Sequence, residues 1–206
     1  MRRYWHTLAV SVGLIALVVG QGAGQDYPID KGSSLVGAAF AFSSMGGDLY
    51  EAHGDRTTVL AATADVSYFA SPGIAWGGLL AVTRTSVGSL TSTSLGIGPQ
   101  VSFFLGAGSR PQVGGATYPF FQVGGLYLRG SSSEMGYYGD ETVDFSGSTI
   151  SLGAGLVHML SRDVGLSMEV QYDIDRTTLK PEGGSGEYAS DGNKITVGAG
   201  LVFFRY

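Results

Sequence analysis

Two histidines and three groups of loop carboxylates are the residues whose types and spacing could do chemistry once the N-terminal segment is set aside. A catalytic site needs a nucleophile oriented by a base, and a base oriented by a third group. His53 stands in a polar stretch near Asp48, Glu51 and Asp55, with no nucleophile at a defined spacing. His158 precedes a tight Ser161-Arg162-Asp163 turn. The acids fall in three sets: Asp48, Glu51 and Asp55; Asp140, Glu141 and Asp144; and Glu182, Glu187 and Asp191. Carboxylates on loops can hold Ca²⁺, but none of these sets has the spacing of a dedicated calcium loop. Gly183-Gly184-Ser185-Gly186 is no phosphate cradle, because no lysine-bearing strand–helix unit follows. There is no cysteine, hence no thiolate metal site and no disulfide. The expectation is a protein with no catalysis, no cofactor and no metal.

The elements that carry these residues are strands. Eight segments show period-two alternation, at 33–44, 57–70, 74–86, 92–105, 116–129, 147–160, 164–176 and 194–206. In the seventh, Val164, Leu166, Met168, Val170, Tyr172 and Ile174 share one face. Gly165, Ser167, Glu169, Gln171, Asp173 and Asp175 share the other. The fourth sets Leu95, Ile97, Val101, Phe103 and Leu105 against Ser94, Gly96, Gly98, Gln100 and Ser102, with Pro99 marking a bulge. The second sets Leu60, Ala62, Ala64, Val66 and Tyr68 against Thr63, Asp65 and Ser67. The first and fifth carry apolar residues on both faces. Short turns at 71–73 and 161–163 alternate with long polar loops at 45–56, 130–146 and 177–193. The 106–115 connection is longer than its place in that alternation suggests, and 87–91 is shorter. Loop aromatics at Met135-flanked Tyr137, Tyr138 and Phe145 are candidates for partner contact or for packing on the rim.

Residues 1–24 read as an export signal, with Arg2 and Arg3 ahead of an apolar core from Leu8 to Val19 and small residues after it. That core is too short for a spanning helix, which needs about 20 residues. Its removal leaves one domain, 25–206, with ten basic against seventeen acidic residues. No basic stripe exists, so nucleic acid is excluded as a partner. Glycine is abundant, at 34 residues, while charged residues are only 14%. This combination disfavours a soluble helical domain and fits tight turns and crowded strand walls.

The final segment, Leu201-Val202-Phe203-Phe204-Arg205-Tyr206, alternates up to an aromatic residue and is expected to pair backward onto the first strand, closing the sheet. Tyr68, Trp76, Phe103, Phe104, Phe120, Phe121, Phe204 and Tyr206 cluster at one end of their strands. Tyr and Trp favour a membrane–water boundary, so the clustering predicts an interfacial girdle, with Tyr68, Trp76, Phe103, Phe121, Phe204 and Tyr206 outward. Val202 shares the predicted outward face of the last strand.

On these strand–turn–strand segments (Val66 to Gly78, Gly153 to Leu166, and Gly198 to Tyr206) the chain resembles the small eight-stranded outer-membrane barrels, the outer-membrane protein A and X type. The resemblance spans roughly residues 33–206. It implies an all-β, eight-stranded antiparallel up-and-down transmembrane barrel in the Gram-negative outer membrane. It further implies lipid and lipopolysaccharide as surroundings and the barrel-assembly machinery as a partner in biogenesis. A surface partner would be met through the long loops. In such a barrel the polar faces meet inside, so Asp65, Gln100, Glu169, Gln171, Asp173 and Asp175 form a lumen network. Arg205 turns inward if Tyr206 turns outward, with Arg84 a second candidate, and at least one inward Arg–carboxylate contact is expected. A narrow porin-like channel is the alternative activity. A lipid A-modifying enzyme is a further one, and it would need a histidine near the outer leaflet. A soluble barrel would invert the faces, with apolar residues inside.

Overall fold

The computed structural model describes residues 29–46, 58–87, 90–106, 115–136, 139–180 and 188–205. The export signal, His53, Tyr137, Tyr138 and Tyr206 lie outside them. Eight strands form one closed antiparallel barrel in chain order. They are β1 (Ser34–Gly46), β2 (Thr58–Ser71), β3 (Ile74–Val87), β4 (Leu90–Phe104), β5 (Thr117–Gly136), β6 (Gly139–Met159), β7 (Val164–Lys180) and β8 (Tyr188–Arg205). Closure is made by β1 against β8, from Ser34 opposite Arg205 to Gly46 opposite Asn193.

The register fixes the shape. Ser34 pairs with Tyr68, and the row continues through Trp76, Val101, Val123, Leu152, Tyr172 and Ile195. Ile195 then pairs with Ser44, ten residues further along β1. A stagger of that size over eight strands tilts them by about 40° and leaves a bore that side chains can fill.

The faces divide as the alternation predicts. Leu166, Met168, Val170, Tyr172 and Ile174 are exposed on the outside of β7, whereas Gln171, Asp173 and Asp175 are buried within. The same division holds for Leu60 against Ser67 and for Ile97 against Gln100. β1 and β5, ambiguous in sequence, resolve with Phe40, Phe42, Phe121, Val123 and Tyr127 outward. The outward run from Leu166 to Ile174, once tilted, covers about 20 Å of height, close to the apolar band of a membrane barrel. The inverted, soluble arrangement is ruled out by this burial pattern.

Three local expectations change. The 130–146 segment is not a loop: β5 and β6 continue as a paired hairpin to Gly136 opposite Gly139. β7 and β8 likewise pair as far as Leu179 opposite Tyr188. Ladder pairing needs no apolar face, so the Ser-, Thr- and Gly-rich continuation stays in register beyond the apolar belt. β4 passes through Pro99 with the same offset to β5 on both sides, so no residue is inserted there. The register shift falls instead at Phe69/Ser71, beside the Pro72-Gly73 turn. Gly73 has φ 75° there, the conformation that the second central residue of a type II turn requires after proline.

Glycines make room for the lumen. Asp65 faces Gly37 across the ladder, Gln122 faces Gly153, Phe120 faces Gly155 and Glu169 faces Gly198. A Cβ on Gly155 would collide with the Phe120 ring and with the Met168 carbonyl of β7. Gly155→Ala should therefore destabilise the barrel by about 1–3 kcal/mol, read as a lower urea midpoint of the folded protein in detergent. Gly78→Ala, whose Cβ would meet only the Gly98 carbonyl at 3.7 Å, should leave the midpoint unchanged. Equal midpoints for both variants would refute this account of the wall.

Candidate functional site

The lumen is the one interior of this fold, and it is layered. Its lowest layer, at the end where β1 begins and β8 finishes, is apolar. Phe69, Phe104, Phe120 and Phe204 are buried there with Leu35, Ala75, Tyr118, Val157, Met159 and Val202, and Ile29 joins them from the segment ahead of β1. The rings form a chain: Phe69 to Phe104 at 5.4 Å, Phe104 to Phe120 at 5.4 Å and Phe69 to Phe204 at 6.4 Å, all tilted. Such offset geometries satisfy the ring quadrupoles. Backbone groups at this rim are paired as well, with Gly73 N–H to Ile29 O at 2.8 Å and Phe204 N–H to Asp163 O at 2.8 Å.

Adjacent aromatics supply both this floor and the girdle outside it. In Tyr68-Phe69, Phe103-Phe104, Phe120-Phe121 and Phe203-Phe204, one ring is exposed and its neighbour is buried in the floor. Tyr68, Trp76, Phe103 and Phe121 are outward as predicted, Trp76 at 61% exposure. Phe204 is a correction. It is 4% exposed and packs inward, and Val202 accompanies it. Phe203 and Leu201 take the outward places. A one-residue error in parity moves every side chain of a strand to the other face. The predicted parity ran backward from Tyr206. It is instead legible from Lys194-Ile195-Thr196-Val197, where polar and apolar residues alternate without ambiguity.

Above the floor lie two isolated carboxyls, each held by an amide. Gln100 Nε2 donates to Asp65 Oδ2 at 3.5 Å and to Ser67 Oγ at 3.3 Å. Gln122 Nε2 donates to Glu169 Oε2 at 3.0 Å. Among the described residues neither Asp65 nor Glu169 has a basic partner.

The third layer is charged and compensated. Asp173 accepts from Ser151 Oγ at 2.6 Å, Gln171 Nε2 at 2.6 Å and Thr196 Oγ1 at 3.2 Å. Asp175 accepts from Thr149 Oγ1, and from Lys194 Nζ at 3.1 and 2.9 Å on its two oxygens. Lys194 also stands 3.6 Å from Asp173. Thr196 continues the network to Ser43 at 2.9 Å.

The six predicted lumen residues Asp65, Gln100, Glu169, Gln171, Asp173 and Asp175 thus point inward, in two separate groups rather than one. Arg205 does not join them. It is exposed, on the same face as Phe203, and Arg84 is exposed on the outside of β3. The described arginines are all exposed, and the inward cation is Lys194, which the alternation of β8 places opposite Ile195. A lysine reaches the two acids because β7 and β8 pair Asp173 directly with Lys194. His158 is bound to Thr117 through Nδ1 at 2.9 Å, near the floor end and on the outward face. Among the described residues no cluster of three His, Cys, Asp or Glu side chains is arranged to hold a metal ion.

No protein-family model matches the chain. No curated protein matches it either. Solved structures do. OprG from Pseudomonas aeruginosa superposes with a TM-score of 0.58 at 12% identity, over 89% of this chain and 100% of that one. Neisserial surface protein A gives 0.54 at 12%, over 84% and 99%. Ail, the attachment invasion locus protein of Yersinia pestis, gives 0.53 at 14%, over 85% and 99%. The fold is that of the small eight-stranded outer-membrane barrels. The comparison covers the barrel nearly end to end, while identities this low leave lumen chemistry to be read from this chain alone.

The Lys194 cluster generates a test. Its side chain is 17% exposed, against 4% for Asp173 and 2% for Asp175. Removing the cation leaves two buried carboxylates side by side on β7 without their ammonium partner, which costs about 3 kcal/mol or more. Lys194→Met should lower the urea midpoint accordingly, and Lys194→Met with Asp175→Asn should recover part of the loss. An unchanged midpoint in the single variant would show that the ion pair carries no stability.

Proposed function

We propose that this chain is a bacterial outer-membrane barrel with a structural or surface-interaction role exercised through its loops, without catalysis and without steady conduction. The observation that carries the reading is the aromatic floor. A bore closed by four phenylalanine rings and by tyrosine, valine and methionine side chains offers ions no polar path at that end. The layers above it are each hydrogen-bonded within themselves, so eight strands' worth of lumen is spent on packing. The apolar exterior supports the membrane location, because such a surface is stable only against hydrocarbon.

Contact through the loops has a geometric basis. β5 and β6, at 20 and 21 residues, outrun β1 and β2, at 13 and 14, so one side of the barrel extends well past the other. Ail, which shares the fold, is by its name a protein of attachment and invasion.

The narrow-channel reading draws on the wet, charged upper layers, but any solute must still pass the floor. The lipid-modifying reading has no support from His158, whose partner is Thr117 and which lies at the short-turn end.

Three measurements test the proposal. The protein should fractionate with outer membranes and run with heat-modifiable mobility on gels, and a freely soluble, heat-insensitive product would reject it. In planar bilayers the native protein should show no steady current, while a stable ohmic conductance would favour the channel instead. Lipid A mass should be unchanged on expression.

A further inference from the structure

The middle level of the bore carries two acids and no described base. Three ladder steps from Asp65, through Gly37 and Val202, end at Gly165 on β7. A stagger of ten residues around eight strands lifts a level line by a little over one residue per strand, so the residue level with Asp65 stands about four further on, at Glu169. Gln100 reaches the same level by the same count, two strands the other way through Leu79 and Gly98. Asp65 and Glu169 thus face each other across the bore from β2 and β7. The wall between them, on β1 and β8, turns only Gly37, Ala39, Gly198 and Gly200 inward at this level. Asp65, Glu169 and Ala39 are half-buried, whereas the rings below and Asp173 and Asp175 above are buried. Accessible inward side chains between two buried layers mark a chamber. Ser102 is 4% exposed and pairs across the ladder with Gln122, on the inward face beside it. Its hydroxyl has no hydrogen-bond partner among the described residues, and neither do the carbonyl oxygens of Gln100 and Gln122.

We propose that this chamber holds a divalent cation, Ca²⁺, shared between Asp65 and Glu169 and completed by neutral oxygens and water. The inference goes beyond the surface role proposed above and rests only on the closed barrel. The donor set is oxygen alone: two carboxylates, the Gln100 and Gln122 carbonyls and the Ser102 hydroxyl. Such a set selects a hard cation. Two carboxylates without a base, in a bore ringed by hydrocarbon, call for two positive charges. Facing backbones of an eight-stranded bore stand about 16 Å apart, so carboxyls reaching in from both walls leave a gap that an ion spans with its waters. Ca²⁺ accepts such an irregular shell, whereas Mg²⁺ demands near-octahedral ligands. The aromatic floor closes the chamber below and the Lys194 cluster covers it above. The ion therefore enters as the barrel folds and exchanges slowly afterwards.

The test refolds the full chain in detergent with Ca²⁺ and passes it through gel filtration in metal-free buffer. The native protein should retain about one Ca²⁺ per chain, read by elemental mass spectrometry. That ion should survive EDTA added to the folded protein and be lost only on unfolding in urea, whereas an ion held on the loops would be stripped at once. The urea midpoint should be higher after refolding with Ca²⁺ than after refolding with EDTA. Asp65→Asn/Glu169→Gln, close in shape to the native pair, should retain no Ca²⁺, show no dependence of the midpoint on it and keep heat-modifiable mobility. Native protein without Ca²⁺, Ca²⁺ stripped from the folded protein, or equal retention by native and double variant would each overturn the site. A protonated-carboxyl infrared band in the native protein that is missing from the double variant would overturn it too, by putting protons in the place of the ion. If the double variant does not fold, the EDTA challenge on the native protein decides. Each of these failures leaves the proposed function standing, which falls separately to a steady bilayer conductance.

Discussion

Closure of β8 onto β1 is the constraint from which the other features follow. In hydrocarbon an unpaired backbone N–H or C=O costs several kcal/mol, and an open sheet would leave two rows of them. The ladder from Ser34 opposite Arg205 to Gly46 opposite Asn193 removes both edges. Once the sheet is closed, alternation has only two places to send side chains, a bore and an exterior. The stagger of ten residues sets the width of that bore, and the bore then dictates how much side-chain volume the inward positions can carry.

The wall meets that demand by pairing large with small. Asp65, Gln122, Phe120 and Glu169 each stand opposite an inward glycine on the next strand. This is a more specific use of glycine than loop flexibility, and it explains why the residue is so frequent within strands. The chemical order along the axis is equally regular. Rings fill the floor, amide-held carboxyls lie above it, and a lysine-centred ion cluster stands higher still. Each carboxyl in the charged layer has hydroxyl, amide or ammonium donors, as burial requires.

Much of this was legible from residues alone. The strict alternation of Val164 to Asp175 separated an apolar from a polar face, the clustered aromatics pointed the apolar face outward, and the apolar exterior of β7 agrees with that. What escaped was parity in β8. There both faces are apolar near the end, Leu201 and Phe203 on one and Val202 and Phe204 on the other. Hydrophobicity cannot choose between them, and only the long-range register does. The same ambiguity hid the floor, because a Phe-Phe doublet reads identically whichever ring turns in. The identity of the inward cation was missed for the same reason. A parity counted from Tyr206 sends Arg205 inward and the even-numbered Lys194 outward, whereas the register sets Lys194 opposite Asp173 inside the bore. The continuation of β5 and β6 was invisible to hydrophobic periodicity, since beyond the apolar belt the outward positions turn polar and the inward ones keep only isolated apolar residues such as Val143 and Phe145, while the ladder hydrogen bonds continue.

The floor draws its rings from four strands, β2, β4, β5 and β8, and one of the four belongs to the strand that completes the circle. A curved sheet of β1 to β7 lacks Phe204 and Val202, so its basal opening is unstoppered while its flanks are still unzipped. Packing of the floor and closure of the circle are consequently completed by the same strand.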